Sequence, residues 1–238
     1  MSQLKKTPKI PVLEIFGPTF QGEGRSIGQK TMFVRTGGCD YSCAWCDSAF
    51  TWDGSEKPDL MTAEDILTQL DALGSYGHVT ISGGNPLLHA SIGTLVDALK
   101  SRGITMSVET QGSYWQNWIL DIEDVTISPK PPSSGMTVDY DRLDVFFKRL
   151  PEQQRAVKIV IFDEADLDFA AAVSDRYALK TLYLSLGNPD PAEEGTIAPR
   201  MLSDLKTLWE RVAGDARFNH ARVLPQLHAL VFANDRGV

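Results

Sequence analysis

The strongest chemical signal in the sequence is a group of three cysteines. Cys39, Cys43 and Cys46 follow one another with the spacing C-x3-C-x2-C, and they are the only cysteines of the chain. An odd number of closely spaced cysteines makes a poor disulfide framework and indicates a reducing compartment. Thiolates at this density suit a soft metal centre. The sequence therefore predicts that all three cysteines bind one metal centre.

Zinc and an iron–sulfur cluster are the two metal centres that such a group could hold. A closed zinc site takes four ligands, usually two cysteine pairs or a cysteine pair followed by a histidine pair. The chain has four histidines, and no two of them have the spacing H-x3–5-H. Three cysteines in a single loop favour a cluster that keeps one iron free for a ligand from outside the protein.

Composition and charge exclude several functional classes. Of the 238 residues 42% are hydrophobic, and 23 basic side chains stand against 31 acidic ones, which gives a net charge of −8. The hydrophobic content supports a folded core, and the negative charge argues against a nucleic-acid-binding face. No segment approaches the roughly 20 apolar residues of a membrane span, and Ile10–Phe16 is too short for a secretory signal. We therefore expect a soluble, cytoplasmic protein that binds neither nucleic acid nor membrane.

The hydrophobic pattern predicts the elements that position the cysteines. Apolar, β-branched runs bounded by Gly, Pro or Asp are typical of strands that are buried on both faces of a parallel sheet. These runs are Val12–Phe16, Thr31–Thr36, His78–Ser82, Ile104–Glu109, Asp124–Ser128, Ala156–Phe162, Thr181–Leu186 and Arg222–Leu227. Apolar residues at helical spacing predict helices over Thr62–Leu73, His89–Arg102, Asp139–Leu150, Glu164–Tyr177 and Pro199–Val212.

The order of these elements predicts the fold class. Strands and helices alternate through the middle of the chain, which is typical of an α/β fold built from right-handed βαβ units. Two stretches that contain prolines, Pro129–Thr137 and Gly187–Gly195, are predicted to be loops, and neither is long enough to separate domains. We expect one domain over residues 1–238, with its functional groups at the carboxyl ends of the strands.

Polar residues follow three of the predicted strands. The segments are 82–85 (SGGN), 109–111 (ETQ) and 128–130 (SPK). On their own, such residues are ordinary strand-end turns. Because the carboxyl ends of parallel strands meet at one edge of a sheet, they can also form one site beside the cysteines.

The cysteine spacing in an α/β chain resembles that of the radical S-adenosylmethionine (SAM) superfamily. The resemblance implies a partial, TIM-like βα barrel with a mostly parallel sheet, in which the cysteines hold a four-iron four-sulfur (4Fe-4S) cluster. It implies that SAM binds the fourth iron. It also implies that an electron from the cluster cleaves SAM to methionine and a deoxyadenosyl radical. The residues that it places around SAM are Trp45, Asp47, Gly83, Gly84, Glu109, Gln111, Ser128 and Lys130. Asn85 stands where the superfamily usually has glutamate.

Five further segments of the sequence are distinctive: 16–24 (FGPTFQGEG), 33–39 (FVRTGGC), 45–48 (WCDS), 127–131 (ISPKP) and 224–228 (LPQLH). Together they carry a closer resemblance, over nearly the whole chain, to the 7-carboxy-7-deazaguanine synthase family. It implies a lyase of queuosine biosynthesis, a tRNA modification pathway, that converts 6-carboxy-5,6,7,8-tetrahydropterin into 7-carboxy-7-deazaguanine with release of ammonia. It further implies a homodimer and an electron donor of the flavodoxin or ferredoxin type.

This resemblance also assigns residues to the substrate and to a magnesium ion. The substrate contacts that it implies are Phe20, Gln21, Gly22, Glu23, Arg35, Ser82 and Val238. Arg35 would bind the substrate carboxylate, and the terminal carboxylate of Val238 would accept from the pterin N–H groups. The hydroxyl of Ser48 would bind Mg²⁺, which often takes one or two protein ligands and completes its shell with substrate and water. From the residues alone, Arg35 could instead form an ion pair at a strand edge, and Ser48 could cap the next turn.

Two other functions stay open on the sequence. An activase of glycyl-radical enzymes would share the cysteine spacing, but it would need a protein-docking surface and often further cluster cysteines. A zinc-stabilised binding module would perform no catalysis. The lack of a fourth cysteine and the segments QGEG and SPK favour the small-molecule enzyme.

Overall fold

The computed structural model describes residues 7–238 and contains one sheet of nine strands. The strands are β1 (Ile10–Phe20), β2 (Lys30–Thr36), β3 (Asp59–Met61), β4 (His78–Gly83), β5 (Thr105–Thr110), β6 (Asp124–Ile127), β7 (Arg155–Ile161), β8 (Leu182–Leu186) and β9 (Ala221–Leu224). The helices are α1 (Ala63–Leu73), α2 (Ile92–Ser101), α3 (Tyr140–Arg149), α4 (Glu164–Tyr177), α5 (Ala198–Ala213) and α6 (Leu227–Phe232). The strand order across the sheet is β3-β1-β2-β4-β5-β6-β7-β8-β9.

Most of the sheet is parallel. From β2 onward each strand runs parallel to the next in this order, whereas β1 pairs antiparallel with both β2 and β3. The edge strands β3 and β9 each have one neighbour, so the sheet is open. The predicted α/β class and incomplete barrel are therefore confirmed.

The predicted strands and helices are all present, with shifted ends. The largest difference is in β1, which continues beyond Phe16 to Phe20 and has an irregular register between Phe16 and Thr19. The prediction missed β3 and α6, because elements of three and six residues are too short to show a hydrophobic period.

The central strands are buried on both faces, as predicted, and the two faces of the sheet differ in composition. In β4, Val79 and Ile81 belong to the core under the helices, while the hydroxyl of Thr80 lies on the opposite face. There it is 3.0 Å from both the Thr31 and the Ser107 hydroxyls. Strand alternation therefore places polar side chains on the inner face, where the site lies.

The apolar core lies between the sheet and the helices in two clusters. The first includes Ile66, Leu95 and Phe146 from α1, α2 and α3, and the second includes Leu167 and Met201 from α4 and α5. The same sheet runs past both clusters, which is consistent with the one domain predicted over residues 1–238. That assignment stays a prediction, and its residues 1–6 lie outside the described part.

The predicted loops are largely irregular. Within Pro129–Thr137 the only regular element is a 3₁₀ turn, Pro132–Ser134, and Gly187–Gly195 contains neither helix nor strand. Among residues 7–238, no helix combines the length and the apolar character that crossing a membrane requires.

Candidate active site

The carboxyl ends of the strands open into a cavity of about 390 Å³. Part of its wall comes from β2, β4, β5 and β7, from the segments that follow β4, β5 and β6, and from the cysteine loop after β2. The rest comes from β1 and the segments that follow β1 and β8, and from the chain after β9, including residues 233–238. The volume is in the range of small-molecule sites, and the position is the one that parallel α/β sheets favour for ligands.

Every predicted site residue lines this cavity. The residues are Phe20, Gln21, Gly22, Glu23, Arg35, Cys39, Cys43, Trp45, Cys46, Asp47, Ser48, Ser82, Gly83, Gly84, Glu109, Gln111, Ser128, Lys130 and Val238. The fold thus brings together motifs that are far apart along the chain. The contacts of each side chain show how far its predicted role fits.

The three cysteines are free thiols on the loop after β2. The backbone N–H of Tyr41 donates to Cys39 Sγ at 3.4 Å, and the indole N–H of Trp52 donates to Cys46 Sγ at 3.4 Å. Burial raises the pKa of Cys39 and raises that of Cys43 to about 11. Such thiols stay protonated at neutral pH until a bound metal displaces the proton.

The donor set fits a 4Fe-4S cluster better than a single metal ion. Among the side chains of residues 7–238, no three His, Cys, Asp or Glu groups converge as one ion requires. Zinc holds each sulfur at about 2.3 Å, so its ligands must meet around one point. A cluster of four irons can take each thiolate on a different iron. Three thiols spread along one cavity wall therefore suit the larger group.

Three polar atoms of uncharged side chains in the cavity wall are buried and lack a hydrogen-bond partner in the protein. They are Ser82 Oγ, Ser128 Oγ and Gln226 Oε1. Buried polar groups almost always have partners. Ser82 lies at the end of β4, Ser128 after β6 and Gln226 after β9, and a polar ligand in the cavity would give these atoms partners.

Gly83 and Gly84 let the end of β4 pack directly on the cysteine loop. A Cβ atom on Gly83 would lie 2.2 Å from the backbone oxygen of Thr36, and one on Gly84 would lie 2.3 Å from that of Gly38. Gly83 also has a φ of +138°, which residues with a side chain rarely adopt. Packing within the protein therefore requires both glycines, and their backbone contact with SAM stays a prediction.

Arg35 links the predicted magnesium ligand to β1. Its Nη1 donates to Ser48 Oγ at 2.7 Å, and its Nε lies 2.8 Å from Glu14 Oε2. The ion pair that the sequence allowed is therefore present. Ser48 Oγ donates to Asp47 Oδ1 at 2.9 Å and makes no capping hydrogen bond to the turn Ala49–Thr51, so the capping alternative is wrong.

A network of charged and amide side chains forms another part of the wall. Lys158, in the middle of β7, is 4% exposed, and its ammonium contacts the carboxylates of Glu23 and Glu109, the latter at 3.3 Å. Gln21 Nε2 donates to Glu109 at 3.3 Å, and Gln226 Nε2 donates to Glu23 at 2.6 Å. We call these five residues the lysine network. They come from β5, β7 and the segments after β1 and β9.

Charge sets the protonation states in the lysine network. Burial alone would raise the pKa of Glu23, but attraction to Lys158 and His228 and hydrogen bonds from Lys158 and Gln226 lower it to about 2. Burial alone would lower the pKa of Lys158, but Glu109 and Glu23 raise it above its ordinary value. Glu23 is therefore a carboxylate and Lys158 an ammonium at neutral pH. The carboxylate oxygens suit a ligand that is rich in N–H donors.

Glu109 and Gln111, both predicted beside SAM, have different partners. Glu109 belongs to the lysine network and so lies among the predicted substrate residues. Gln111 Nε2 donates to Asp40 Oδ1 at 2.5 Å and lies 3.7 Å from Cys39 Sγ. Their contacts with SAM stay predictions.

Trp45 and Lys130 lie together at the cysteine loop. The Lys130 ammonium is 5.6 Å from the centre of the Trp45 ring, and the indole N–H donates to Ser133 Oγ at 3.1 Å. The ring is also 5.2 Å from that of Phe162. Trp45 is therefore a packed side chain at the cavity wall, as expected of a residue beside the cluster or SAM.

The last residues of the chain lie at the cavity, and the contact of the Val238 carboxylate with a pterin stays a prediction. The guanidinium of Arg236 contacts the carboxylates of Glu14 and Glu56 and lies 3.6 Å from the ring centre of Phe50. Val238 lines the cavity beside it. Arg236 thus fastens residues 233–238 to β1 and to the segment that follows the cysteine loop.

We expect Arg236→Ala to raise the KM for the substrate about threefold to tenfold with little change in kcat, because the end of the chain is no longer held over the cavity. Steady-state kinetics at saturating SAM measure both constants. Arg217→Ala is the matched control, since Arg217 also binds two carboxylates, Asp168 and Asp215, but lies outside the cavity lining. Equal KM values for the two variants would contradict this function of Arg236.

Lys158 was not predicted from the sequence as a site residue, and Gln226 and His228 had no predicted role. A signal for Lys158 was present, because it interrupts the otherwise apolar interior of the strand RAVKIVI. A buried ammonium is costly unless carboxylates pair with it. A lysine in the middle of a buried strand therefore predicts acidic partners across the site.

Known proteins resemble this chain over nearly its whole length. Residues 33–127 match the family model of the Radical SAM superfamily. The 7-carboxy-7-deazaguanine synthase of Bacillus cereus is 50% identical over 236 residues, which cover 97% of this chain and 99% of that protein. The 7-carboxy-7-deazaguanine synthase of Bacillus subtilis is 51% identical over 239 residues, which cover 96% and 98%.

Solved structures share the fold. The crystal structure of QueE from Escherichia coli matches with a TM-score of 0.67 at 23% identity, over 92% of this chain and 95% of that chain. Streptococcus suis SuiB bound to precursor peptide SuiA matches with a TM-score of 0.56 at 15% identity, over 84% of this chain and 49% of that chain. At these identities the likeness is one of fold.

Proposed function

The chain belongs to the 7-carboxy-7-deazaguanine synthase family within the radical SAM superfamily, and we propose that it converts 6-carboxy-5,6,7,8-tetrahydropterin into 7-carboxy-7-deazaguanine and ammonia. The observation that carries this proposal is one cavity lined by both the cysteine loop and the lysine network. The reaction removes ammonia without net oxidation or reduction. The radical SAM chemistry of the family requires the site to generate a radical, aim it at a bound pterin and exclude water.

The cysteines are our assignment for the ligands of the 4Fe-4S cluster, which supplies an electron for SAM cleavage when it is bound. We assign the SAM site to the adjoining strand ends, where Gly83 and Gly84 form the wall next to the loop. The hydroxyl of Ser128 is a free hydrogen-bonding group, and Lys130 supplies a positive charge for a carboxylate. Trp45 and Asp47 complete this part of the cavity, and Glu109 and Gln111 border it.

The lysine network is our assignment for the pterin ring. Glu23, held as a carboxylate by Lys158, can accept hydrogen bonds from the amino-pyrimidine N–H groups, and the free Oε1 of Gln226 is a further acceptor. The side-chain oxygen of Gln21 accepts from the backbone N–H of Gly22 at 2.8 Å, which fixes the loop that carries Glu23. Other residues of the cavity assigned to the substrate are Phe20, Gly22, Ser82 and Val238.

Arg35 and Ser48 are assigned to the substrate carboxylate and to a magnesium ion. Both line the cavity, and their side chains already touch. Mg²⁺ prefers oxygen ligands and keeps several waters. Ser48 Oγ with the nearby Asp47 carboxylate fits an ion whose remaining ligands come from substrate and water. Arg35 would hold the substrate carboxylate next to Ser48, where the carboxylate would be available as a further ligand of the ion.

The partners and the location complete the proposal. A cluster that is reduced one electron at a time calls for a one-electron donor of the flavodoxin or ferredoxin type. Free thiols at the site suit the reducing cytoplasm. The homodimer rests on the family resemblance, and size measurement in solution tests it.

The direct test is anaerobic incubation of the iron-loaded protein with SAM, reductant and 6-carboxy-5,6,7,8-tetrahydropterin, followed by mass analysis. We expect the deazapurine and ammonia only when all components are present. Iron and sulfide content of the anaerobically purified protein tests the zinc module, which would contain zinc and no sulfide. Deoxyadenosine formation that does not depend on the pterin, without deazapurine, would overturn the proposal and favour the activase.

We expect Arg35→Lys to raise the KM for the pterin about tenfold to a hundredfold, because one ammonium cannot contact Ser48 and a carboxylate as the guanidinium does. SAM cleavage without product should persist, since the cluster ligands are unchanged. Product and deoxyadenosine are measured in the same reaction. Arg211→Lys, on the exposed side of α5, is the control. An unchanged KM would show that Arg35 does not hold the substrate.

A further inference from the structure

Asn85, the residue that departs from the superfamily pattern, is completely buried and uses its whole side chain in hydrogen bonds. Its Nδ2 donates to Asp40 Oδ1 at 2.8 Å and to Ser113 Oγ at 3.0 Å. Its Oδ1 accepts from Thr110 Oγ1 at 3.0 Å and from the Leu87 N–H at 3.3 Å. An amide offers two donors and two acceptor positions, so nothing of Asn85 remains for a ligand.

The partner that matters for the site is Asp40, which follows the first cysteine directly. One oxygen of its carboxylate accepts from Asn85 and from Gln111, so the loop is tied to the ends of both β4 and β5. Gln111 Nε2 is also 3.7 Å from Cys39 Sγ. The backbone N–H of Asn85 donates to the Gly38 oxygen at 2.8 Å. These contacts lie on both sides of Cys39.

We propose that Asn85 is a positioning residue which, through Asp40, holds Cys39 in the place that the cluster needs. The inference rests on the proposed cluster site. It gives Asn85 a function that does not involve contact with SAM.

A carboxylate at position 85 is incompatible with Asp40. It would have no N–H to donate to Asp40 or to Ser113, and it would place two negative charges at a hydrogen-bond distance. The amide at 85 and the acid at 40 therefore belong together. This pairing explains why the chain has asparagine where glutamate is usual.

The pair can be exchanged so that every residue bonded to the Asn85 side chain keeps a hydrogen bond to position 85. In Asn85→Asp/Asp40→Asn, the new amide at 40 can donate to the new carboxylate at 85. Thr110 Oγ1 and the Leu87 N–H still find an acceptor at position 85, and the Ser113 hydroxyl can turn to donate to it. Gln111 contacts the same Asp40 oxygen as Asn85, so its amide must turn to accept from the second N–H of the new amide at position 40. Three hydrogen bonds keep their two residues and reverse direction: those that join positions 40 and 85, 85 and 113, and 40 and 111.

The experiment compares wild type, Asn85→Asp, Asp40→Asn and the double variant after anaerobic cluster loading. We measure iron and sulfide per chain, the rate at which a chelator removes iron, the reduction potential of the cluster and the melting temperature of the metal-free protein. Asn85→Asp should lose iron about fivefold faster or more, with a shifted potential, and the double variant should return to within about twofold of wild type. Asn219→Asp, on an exposed turn, controls for the added charge.

A double variant that loses iron as fast as Asn85→Asp, or faster, would overturn the proposal. Restored melting without restored iron retention or potential would overturn it too, since Asn85 would then serve only folding. If the wild-type protein takes up no iron and sulfide, the cluster assignment fails instead. The melting temperatures would in that case still measure the coupling of the two residues.

Discussion

Alanine in place of Cys39, Cys43 or Cys46 will abolish SAM cleavage and product formation and remove most of the bound iron. Each variant leaves two thiolates for a cluster whose fourth iron must stay open to SAM, so no protein ligand is left to replace the missing one. The loss should be similar at all three positions, although Cys43 is the most buried thiol. Iron and sulfide analysis and anaerobic formation of deoxyadenosine measure the effect.

Ser42→Ala is the matched control for these variants, because it shortens an exposed side chain within the same loop and removes no thiol. It should keep its iron and its turnover. A cysteine variant with full iron content and turnover would contradict the cluster assignment. If Ser42→Ala lost as much iron as the cysteine variants, the loss would be caused by a change in loop conformation and not by removal of a thiol.

The cysteine loop was predictable from sequence because its chemistry is local. Three thiols in one short segment predict a metal centre without knowledge of the fold. The strand-end segments were predictable for a related reason, since parallel strands bring their carboxyl ends together wherever the chain between them runs. All of them line one cavity.

The contacts between segments were not predictable in the same way. Arg35 was expected to bind the substrate, yet its Nε lies beside Glu14, a pairing set by the antiparallel register of β1 and β2. Asn85 and Asp40 are 45 positions apart, and only the folded chain shows that the amide faces the acid. Pairwise geometry of this kind depends on register and rotamers, which a hydrophobic pattern does not encode.

Lys158→Met will be the most damaging single change outside the cysteine loop. The substitution keeps the length of the side chain but leaves the carboxylates of Glu23 and Glu109 without their buried cation. Removing one partner of a buried ion pair lowers the free energy of unfolding by about 3–5 kcal/mol, because the remaining charge is uncompensated. For a chain of this length the melting temperature should fall by roughly 6–20 °C. Lys206→Met, at an exposed position of α5, should leave it unchanged.

The pH dependence distinguishes loss of charge compensation from loss of packing. In wild type the lowered pKa of Glu23 gives a stabilisation that is present above its ordinary pKa near 4.5 and is lost only as the pH falls toward about 2. In Lys158→Met, burial is no longer opposed by the ammonium and raises the pKa of Glu23. The effect of pH on stability then reverses. The variant loses stability relative to wild type as the pH rises from about 4.5 to that raised pKa, so its melting temperature, relative to wild type, should fall over this range.

Substrate binding should change in the opposite direction with pH. Glu23 must be ionised to accept from the pterin N–H groups, so the KM of Lys158→Met should rise as the pH is lowered from about 8 to about 5. His228 and Glu109 also face Glu23, from α6 and β5, so each value is compared with wild type at the same pH. Adding Glu23→Gln to Lys158→Met removes one buried charge and should recover part of the lost stability at neutral pH. A Lys158→Met variant whose melting temperature and KM follow wild type across this range would show that Lys158 fills space and does not hold Glu23 ionised.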